Sequence, residues 1–137
     1  MKSSGMRKNS AVNDDSQRPC VMKVSGTRFS LMGRVWVEGK DGAFLGHGRV
    51  VLLERIKRYG SITEAAKSLH MSYRHAWDLA ESINNQAARP LIETVTGGKG
   101  GGGTKLTEEG EKALSSFREF QDDFRNFLEE QAKKLRF

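Results

Sequence analysis

Residues 60–86 have the sequence GSITEAAKSLHMSYRHAWDLAESINNQ, and this stretch predicts the central motif of the fold. It contains two helical patterns joined by a very short turn, because apolar residues recur in each half at the spacing of one helical face. The first pattern consists of Ile62, Ala65, Ala66 and Leu69. The second consists of Ala76, Leu79, Ala80 and Ile83. The small alanines allow the two helices to approach closely at a steep angle.

Short polar residues mark where both helices begin. Ser61 is a candidate N-cap, and Glu64 three residues later would complete a capping box. Ser72 can cap the second helix in the same way. The turn position usually filled by glycine is His70, which must tolerate a positive φ, as histidine does more often than most residues. These features predict a helix-turn-helix, a motif whose second helix lies in the major groove of DNA.

The polar side of the second helix carries the candidate DNA-binding residues, which are Ser72, Tyr73, Arg74, His75 and Asp78. Arg74 can donate two hydrogen bonds to the edge of a guanine, while Ser72, Tyr73 and His75 can reach phosphates or bases. Trp77 is expected to pack against neighbouring strands, because double-stranded DNA offers no free base face. An ordinary helical hairpin with a solvated polar face has the same apolar spacing, so that alternative stays open.

The formal charge of the 137-residue chain is +6, and it is unevenly distributed. Residues 1–60 hold 12 basic against 5 acidic residues, a net +7, residues 61–106 hold 5 against 4, a net +1, and residues 107–137 hold 6 against 8, a net −2. The basic half favours nucleic acid or an anionic surface as partner. Cys20 is the only cysteine in the sequence, which favours a cytoplasmic protein. No apolar run approaches the length of a membrane span, and no signal-peptide core follows the basic start.

The chain before residue 60 is expected to contain a disordered arm, two strands and a helix. Residues 1–27 are polar and without period, which predicts a disordered basic arm. Residues 28–38 alternate like a strand, residues 39–42 form a turn, and residues 43–45 are expected to return as a short strand. Residues 49–59 form a helix that Gly60 ends as a C-cap. Four basic residues of this helix are either phosphate contacts or a solvated face: Arg49, Arg55, Lys57 and Arg58.

The residues after Pro90 have the pattern of a wing, a two-stranded sheet whose loop lies beside DNA. Residues 91–95 and 104–107 are candidate strands around the glycine-rich segment 97–103, and the strand from residue 28 could complete the sheet. Glycines let the backbone approach the sugar-phosphate chain, and Lys99 and Lys105 supply positive charge. A floppy linker is the alternative. The match to the dinucleotide fingerprint G-x-G-x-x-G is close to automatic in a run of glycines, and no P-loop spacing is present.

From Thr107 onward a long helix is expected, about 25 residues or about 38 Å. Its apolar positions follow three- and four-residue steps and include Phe117, Phe120, Phe124 and Phe127. A domain of this size is not expected to cover that length beyond the first turns. The same helix of a second copy would cover the rest, which predicts a two-fold dimer.

Three segments of the sequence resemble those of a known family. Gly60-Ser61-Ile62, Ser72-Tyr73-Arg74-His75-Ala76-Trp77 and above all Thr96-Gly97-Gly98-Lys99-Gly100-Gly101-Gly102-Gly103 are similar to the N-terminal winged-helix domain of the ModE family. These are molybdate-responsive bacterial transcription regulators, whose helix-turn-helix is akin to that of LysR-type regulators. The resemblance implies a dimer on a palindromic operator, with the recognition helix at residues 72–84 and the wing at residues 97–103. It also implies dimerisation through the N-terminal strand region and the last helix. Family members carry a C-terminal oxyanion-sensing module, but this chain ends at Phe137, so molybdate sensing is not carried over.

Other chemistry is not expected. His47, His70, His75 and Cys20 lack the spacing of metal ligands, and Ser72 beside His75 has no acidic residue to orient the histidine. We therefore predict no catalytic, cofactor or metal site.

The sequence as a whole predicts an α+β fold, a winged helix-turn-helix with a small β-sheet and a long C-terminal dimerisation helix. Residues 1–27 would be the arm, residues 28–106 the DNA-binding domain and residues 107–137 the dimerisation helix. The expected function is that of a sequence-specific transcriptional regulator, cytoplasmic and without membrane contact, that binds double-stranded DNA as a homodimer and lacks the sensing module. The alternative is a winged-helix interaction module that works through a partner carrying the effector site.

Overall fold

The computed structural model describes residues 21–96 and 102–136. Two predicted segments lie outside the described residues: residues 1–20 of the expected arm, and residues 97–101 of the glycine-rich segment, which include Lys99. The described residues have mixed α+β structure, with short antiparallel strand pairs around a helical core. In chain order the elements are β1 (Met22–Ser25), β2 (Ser30–Gly33), β3 (Val37–Gly39), β4 (Gly42–Leu45), α1 (His47–Tyr59), α2 (Ile62–Ser68), α3 (Tyr73–Gln86), β5 (Ile92–Val95), β6 (Gly103–Leu106) and α4 (Glu108–Lys134).

Helix α1 lies at the centre of the core. Val50, Leu52, Leu53 and Ile56 are fully buried, which is more than one helical stripe and requires neighbours on several sides. Helices α2, α3 and α4 and strand β6 supply those neighbours. The helix ends at Gly60, as predicted, where φ is 69° and the amide donates to the carbonyl of Ile56.

Helices α2 and α3 form the predicted helix-turn-helix. The Ser61 side chain accepts a hydrogen bond from the Glu64 amide at 3.1 Å, and the Ser72 side chain accepts one from the His75 amide at 3.0 Å. His70 adopts the predicted left-handed conformation with a φ of 57°. These local bonds fix both helix starts and confine the turn to a few residues.

Strands β5 and β6 form the two-stranded sheet expected of a wing, with Glu93 opposite Lys105 and Val95 opposite Gly103. The expectation that the strand from residue 28 completes this sheet is wrong, because in the described part of the chain β1 pairs with β2 and β3 pairs with β4. The backbone carbonyl of Gly60 instead accepts a hydrogen bond from the Thr104 amide at 2.9 Å. The connection between α1 and α2 thereby holds the inner edge of the wing.

The N-terminal part differs from expectation in two ways. Met22–Ser25 is a strand paired with Ser30–Gly33, so the disordered arm does not extend to residue 27. The expected strand over residues 28–38 is divided between two hairpins, β1–β2 and β3–β4. Side chains of β1 and β2 alternate between half-buried and exposed, because one face of the hairpin packs on α4. Because α4 is distant from β1 and β2 in sequence, this packing could not be predicted from the local sequence pattern.

Helix α4 begins after Thr107, whose side chain accepts a hydrogen bond from the Gly110 amide at 3.0 Å. Leu114, Phe117 and Leu128 are buried along its length. The expectation that the domain covers only its first turns is wrong, because the β1–β2 hairpin packs farther along the helix. At Gly33 the contact is so close that an added Cβ would lie 2.8 Å from Cζ of Phe124.

Candidate nucleic-acid interface

The residues predicted to bind DNA lie together on the solvent side of the first turns of α3. Ala76, Ala80 and Ile83 turn the opposite side of this helix into the core. The side left to solvent carries the five predicted residues, all exposed: Ser72, Tyr73, Arg74, His75 and Asp78. The structure therefore brings them into one patch, which we call the recognition patch.

Arg74 is held by two neighbours within this patch. Its Nε lies 3.2 Å from Oδ1 of Asp78, one helical turn on. Its Cζ lies 5.2 Å from the centroid of the Trp77 ring, within the range of a cation–π contact. Because residues three and four positions apart adjoin on a helix surface, both contacts follow directly from the sequence order Arg-His-Ala-Trp-Asp.

An open cleft separates the recognition patch from the wing. Tyr73 and Trp77 line one side, and Thr94, Val95 and Thr96 line the other. Trp77 is half-buried and lines this cleft together with the wing residues, and its direct packing on the wing strands stays a prediction. Hydroxyl groups and backbone of this kind are suited to positioning contacts with phosphate and sugar.

Lys105 projects from the outer face of β6, where it is exposed. Its Nζ lies 3.7 Å from Oε2 of Glu93, the residue directly opposite on β5. Such an exposed cross-strand ion pair is weak and can exchange for a phosphate. The predicted contact of Lys105 with the DNA backbone therefore stays a prediction, and the Glu93 carboxylate would compete with phosphate for its ammonium group.

Asn84 is a residue that the sequence analysis did not single out. Its side-chain oxygen accepts hydrogen bonds from the amides of Leu91 and Ile92 at 2.9 and 3.1 Å. Its side-chain nitrogen donates to the carbonyl of Ile92 at 2.8 Å. Asn84 thereby fixes the start of the wing to the last turns of the recognition helix. No sequence pattern marks a contact of this kind.

Gln86 plays the corresponding part at the other side of α3. Its side-chain oxygen accepts a hydrogen bond from the Asp41 amide at 3.2 Å, and its side-chain nitrogen donates to the Ala43 carbonyl at 3.1 Å. Gly39 adjoins the same amide group so closely that a side chain there would overlap it. The β3–β4 hairpin is thus attached to the recognition helix.

The basic residues of α1 have protein partners. Arg55 is buried and donates to the Ser68 carbonyl at 3.2 Å, and Lys57 lies 2.8 Å from a carboxylate oxygen of Glu111. Arg49 donates to Oγ of Ser82 at 2.9 Å, and burial lowers the pKa of its guanidinium from the ordinary value. Both earlier interpretations are therefore wrong for Arg55, which joins α1 to α2 within the domain.

Two further observations concern the described part of the chain. No helix in it is long and apolar enough to cross a membrane. Within residues 21–96 and 102–136, no three His, Cys, Asp or Glu side chains are grouped so that they could hold a metal ion.

Comparison with known proteins places this geometry in a family. Residues 48–111, which run from α1 into α4, match the model of the bacterial regulatory helix-turn-helix protein, lysR family. The chain is 37% identical over 112 residues to the molybdenum transport protein ModE of Azotobacter vinelandii, covering 82% of this chain and 41% of that protein. It is 47% identical over 78 residues to the transcriptional regulator ModE of Haemophilus influenzae, covering 57% of this chain and 31% of that protein.

A third relative gives the same picture. The molybdenum transport protein ModE of Herbaspirillum seropedicae is 49% identical over 80 residues, covering 58% of this chain and 30% of that protein. The chain therefore spans less than half the length of each of these three relatives. The matched family model spans the helix-turn-helix and the wing, and the relatives share one name. Residues 48–111 therefore form a helix-turn-helix domain of the lysR type, and over the matched residues the chain is similar to ModE-type proteins.

Proposed function

We propose that this protein is a sequence-specific DNA-binding transcriptional regulator. The observation that carries the proposal is the recognition patch, an exposed group of hydrogen-bonding side chains at the start of α3, beside a two-stranded wing. A helix presented in this way fits the major groove, and the flanking wing reaches the adjoining backbone. The Haemophilus influenzae relative, named a transcriptional regulator, supports the same function.

Within the patch the proposed roles follow from hydrogen-bonding capacity. Arg74 has the planar donor fork that matches the O6 and N7 acceptors of guanine. The Ser72 oxygen already accepts from the His75 amide, so its hydroxyl hydrogen is available to a phosphate. Tyr73 and His75 supply further donors, and Lys99 and Lys105 would hold the flanking backbone.

The regulator would act as a homodimer on a palindromic operator. Phe120 and Phe127 on α4 and Phe29 and Met32 on the β1–β2 hairpin are exposed large apolar residues, with Phe127 55% exposed. Such residues favour association with a second copy, and a two-fold dimer presents two recognition helices. The half-sites would then lie about one helical turn apart, about 34 Å.

Selection of bound fragments from genomic DNA tests this function directly. The purified protein is incubated with sheared duplex at about 150 mM salt, where contacts to phosphate alone are weakened. It is run with and without molybdate, because the names of two of the relatives refer to molybdenum. We expect a palindromic consensus with the stated half-site spacing. Recovery that is independent of sequence and lost on raising the salt would contradict the proposal.

A second candidate function rests on the same exposed aromatic residues. The chain could be an interaction module that binds a partner through Phe120 and Phe127 of α4. The two candidates differ in what the purified chain does alone. An interaction module would select no DNA sequence unless its partner were present, whereas the proposed regulator selects its operator unaided.

A further inference from the structure

Arg74 contacts both an aromatic ring, that of Trp77, and a carboxylate, that of Asp78. Within residues 21–96 and 102–136, it is the only cation of the recognition patch for which the structure shows both contacts. Its side chain is 78% exposed and that of Asp78 is 52% exposed. An ion pair this open contributes little to folding, because water and salt screen it. Its position in the patch therefore calls for an explanation other than stability.

The geometry of the pair is directional. The Asp78 carboxylate lies beside Nε of Arg74, so the two terminal nitrogens remain the available donors of the guanidinium. In the described residues the structure gives these two nitrogens no hydrogen-bond or ion-pair partner. They form the fork that can bond O6 and N7 of one guanine in the plane of the base.

Charge argues in the same direction. Asp78 is negative on a surface that would face a polyanion, so it lowers affinity for every DNA sequence. Together Arg74 and Asp78 are neutral, so the pair adds no net attraction to phosphate. A patch built only to attract the backbone would not carry this carboxylate. A patch built to discriminate between bases would gain from it, since it restricts where the guanidinium can point.

We propose that Asp78 and Trp77 are positioning residues that hold Arg74 for guanine and away from the phosphates. The inference rests on the proposed DNA-binding function and adds a specificity determinant to it. Asp78 fixes the guanidinium at Nε, and the Trp77 ring fixes the face against which it lies. The preference for guanine at one base pair of each half-site then depends on Asp78, although Arg74 is the residue that bonds the base.

The test compares Asp78→Ala with a matched control on the same helix. Glu81 lies two turns beyond Arg74 on nearly the same side of α3 and is exposed, so Glu81→Ala removes the same charge without touching Arg74. Each variant is titrated on the selected operator, on operators with one base pair replaced in turn, and on unrelated duplex. Circular dichroism checks that both remain folded.

We expect Asp78→Ala to bind unrelated duplex more tightly than wild type, because a repelled charge is gone. Its preference for guanine at the Arg74 position should fall at least about fivefold, since a well-placed bidentate contact accounts for about 5- to 150-fold discrimination. Glu81→Ala should strengthen binding to all duplexes equally. Asp78→Asn keeps an acceptor beside Nε and should retain part of the guanine preference. Trp77→Phe keeps a smaller ring and should also retain part of it.

Two results would overturn the inference, and they are distinguishable. If Asp78→Ala changed affinity by the same factor on every duplex, as Glu81→Ala does, Asp78 would act through charge alone while the proposed function stood. If wild-type protein itself preferred no sequence, the proposed function and the inference would fall together.

Discussion

At the scale of one residue, Gly110 lies so close to the Leu91 backbone that alanine, normally preferred to glycine in a helix, is unfavourable there. It lies in the first turn of α4, where an added Cβ would overlap the Leu91 carbonyl oxygen and lie 3.2 Å from Cβ of Leu106. Replacing glycine by alanine inside a helix usually stabilises by about 1 kcal/mol. Here the Leu91 carbonyl also accepts a hydrogen bond from the Thr107 amide at 2.9 Å, so it has little freedom to move.

We therefore predict that Gly110→Ala lowers the free energy of unfolding by about 1–3 kcal/mol, the usual cost of overpacking. Gly48→Ala is the matched control, since Gly48 is exposed in α1 and an added Cβ there meets nothing within 4 Å. It should be neutral or stabilising. Urea denaturation measures both, and a stabilised Gly110→Ala would contradict the packing described at Leu91.

What the sequence predicts at this scale depends on distance along the chain. The caps Ser61 and Ser72 bond amides three residues away, so their pattern is local and visible. The left-handed His70 follows from the same local geometry. Arg55 and Gly110 contact residues brought near only by folding, and neither role could be inferred from neighbours in sequence.

At the scale of elements, the recognition helix is attached on both sides by single amide side chains. Asn84 joins it to β5 of the wing, and Gln86 joins it to the β3–β4 hairpin. The helix itself was predictable from its apolar period and its cap. Its attachments were not, because amide side chains have no periodic pattern. A contact distant in sequence is also why β1 was expected as part of a disordered arm and β2 and β3 as one strand, whereas the turn over residues 39–42 and the return strand over residues 43–45 were expected.

Asn84→Ala should destabilise the protein by about 2 kcal/mol or more, because it removes three hydrogen bonds and leaves backbone groups of Leu91 and Ile92 without their partner. Asn85→Ala removes the same amide from the next, exposed position and should change stability by less than about 0.5 kcal/mol. Urea denaturation of the two variants is the measurement. Equal midpoints would show that the Asn84 bonds do not secure the wing.

The whole molecule has an exposed aromatic surface on α4, and its proposed role is dimerisation. Phe127→Ser should shift the protein toward monomer at concentrations where wild type is dimeric, since truncating a hot-spot residue of an interface costs about 2 kcal/mol or more. Glu129→Ser, on the far side of the helix, should leave association unchanged. Sedimentation over a concentration series measures both. A wild-type protein that stays monomeric throughout would contradict the dimer.

The domain as a whole was more predictable than its boundaries. The helix-turn-helix, the paired wing strands and the long last helix each carry a strong local pattern. The length of α4 beyond its first turns was expected to need a second copy, but β1 and β2 cover part of it. A strand whose cover lies about 100 residues away in sequence shows no pattern that local physics can detect.

Sequence-specific binding by α3 is proposed to depend on Arg74, and one titration tests this role. Wild type, Arg74→Ala and Lys99→Ala are bound to the selected operator and to unrelated duplex over a range of salt concentrations. Arg74→Ala should cost about 1–3 kcal/mol on the operator and relax base preference. Lys99→Ala should weaken binding to both duplexes alike and reduce the salt slope by about one unit. If Arg74→Ala instead matched wild type at every salt concentration, α3 would not be the recognition helix.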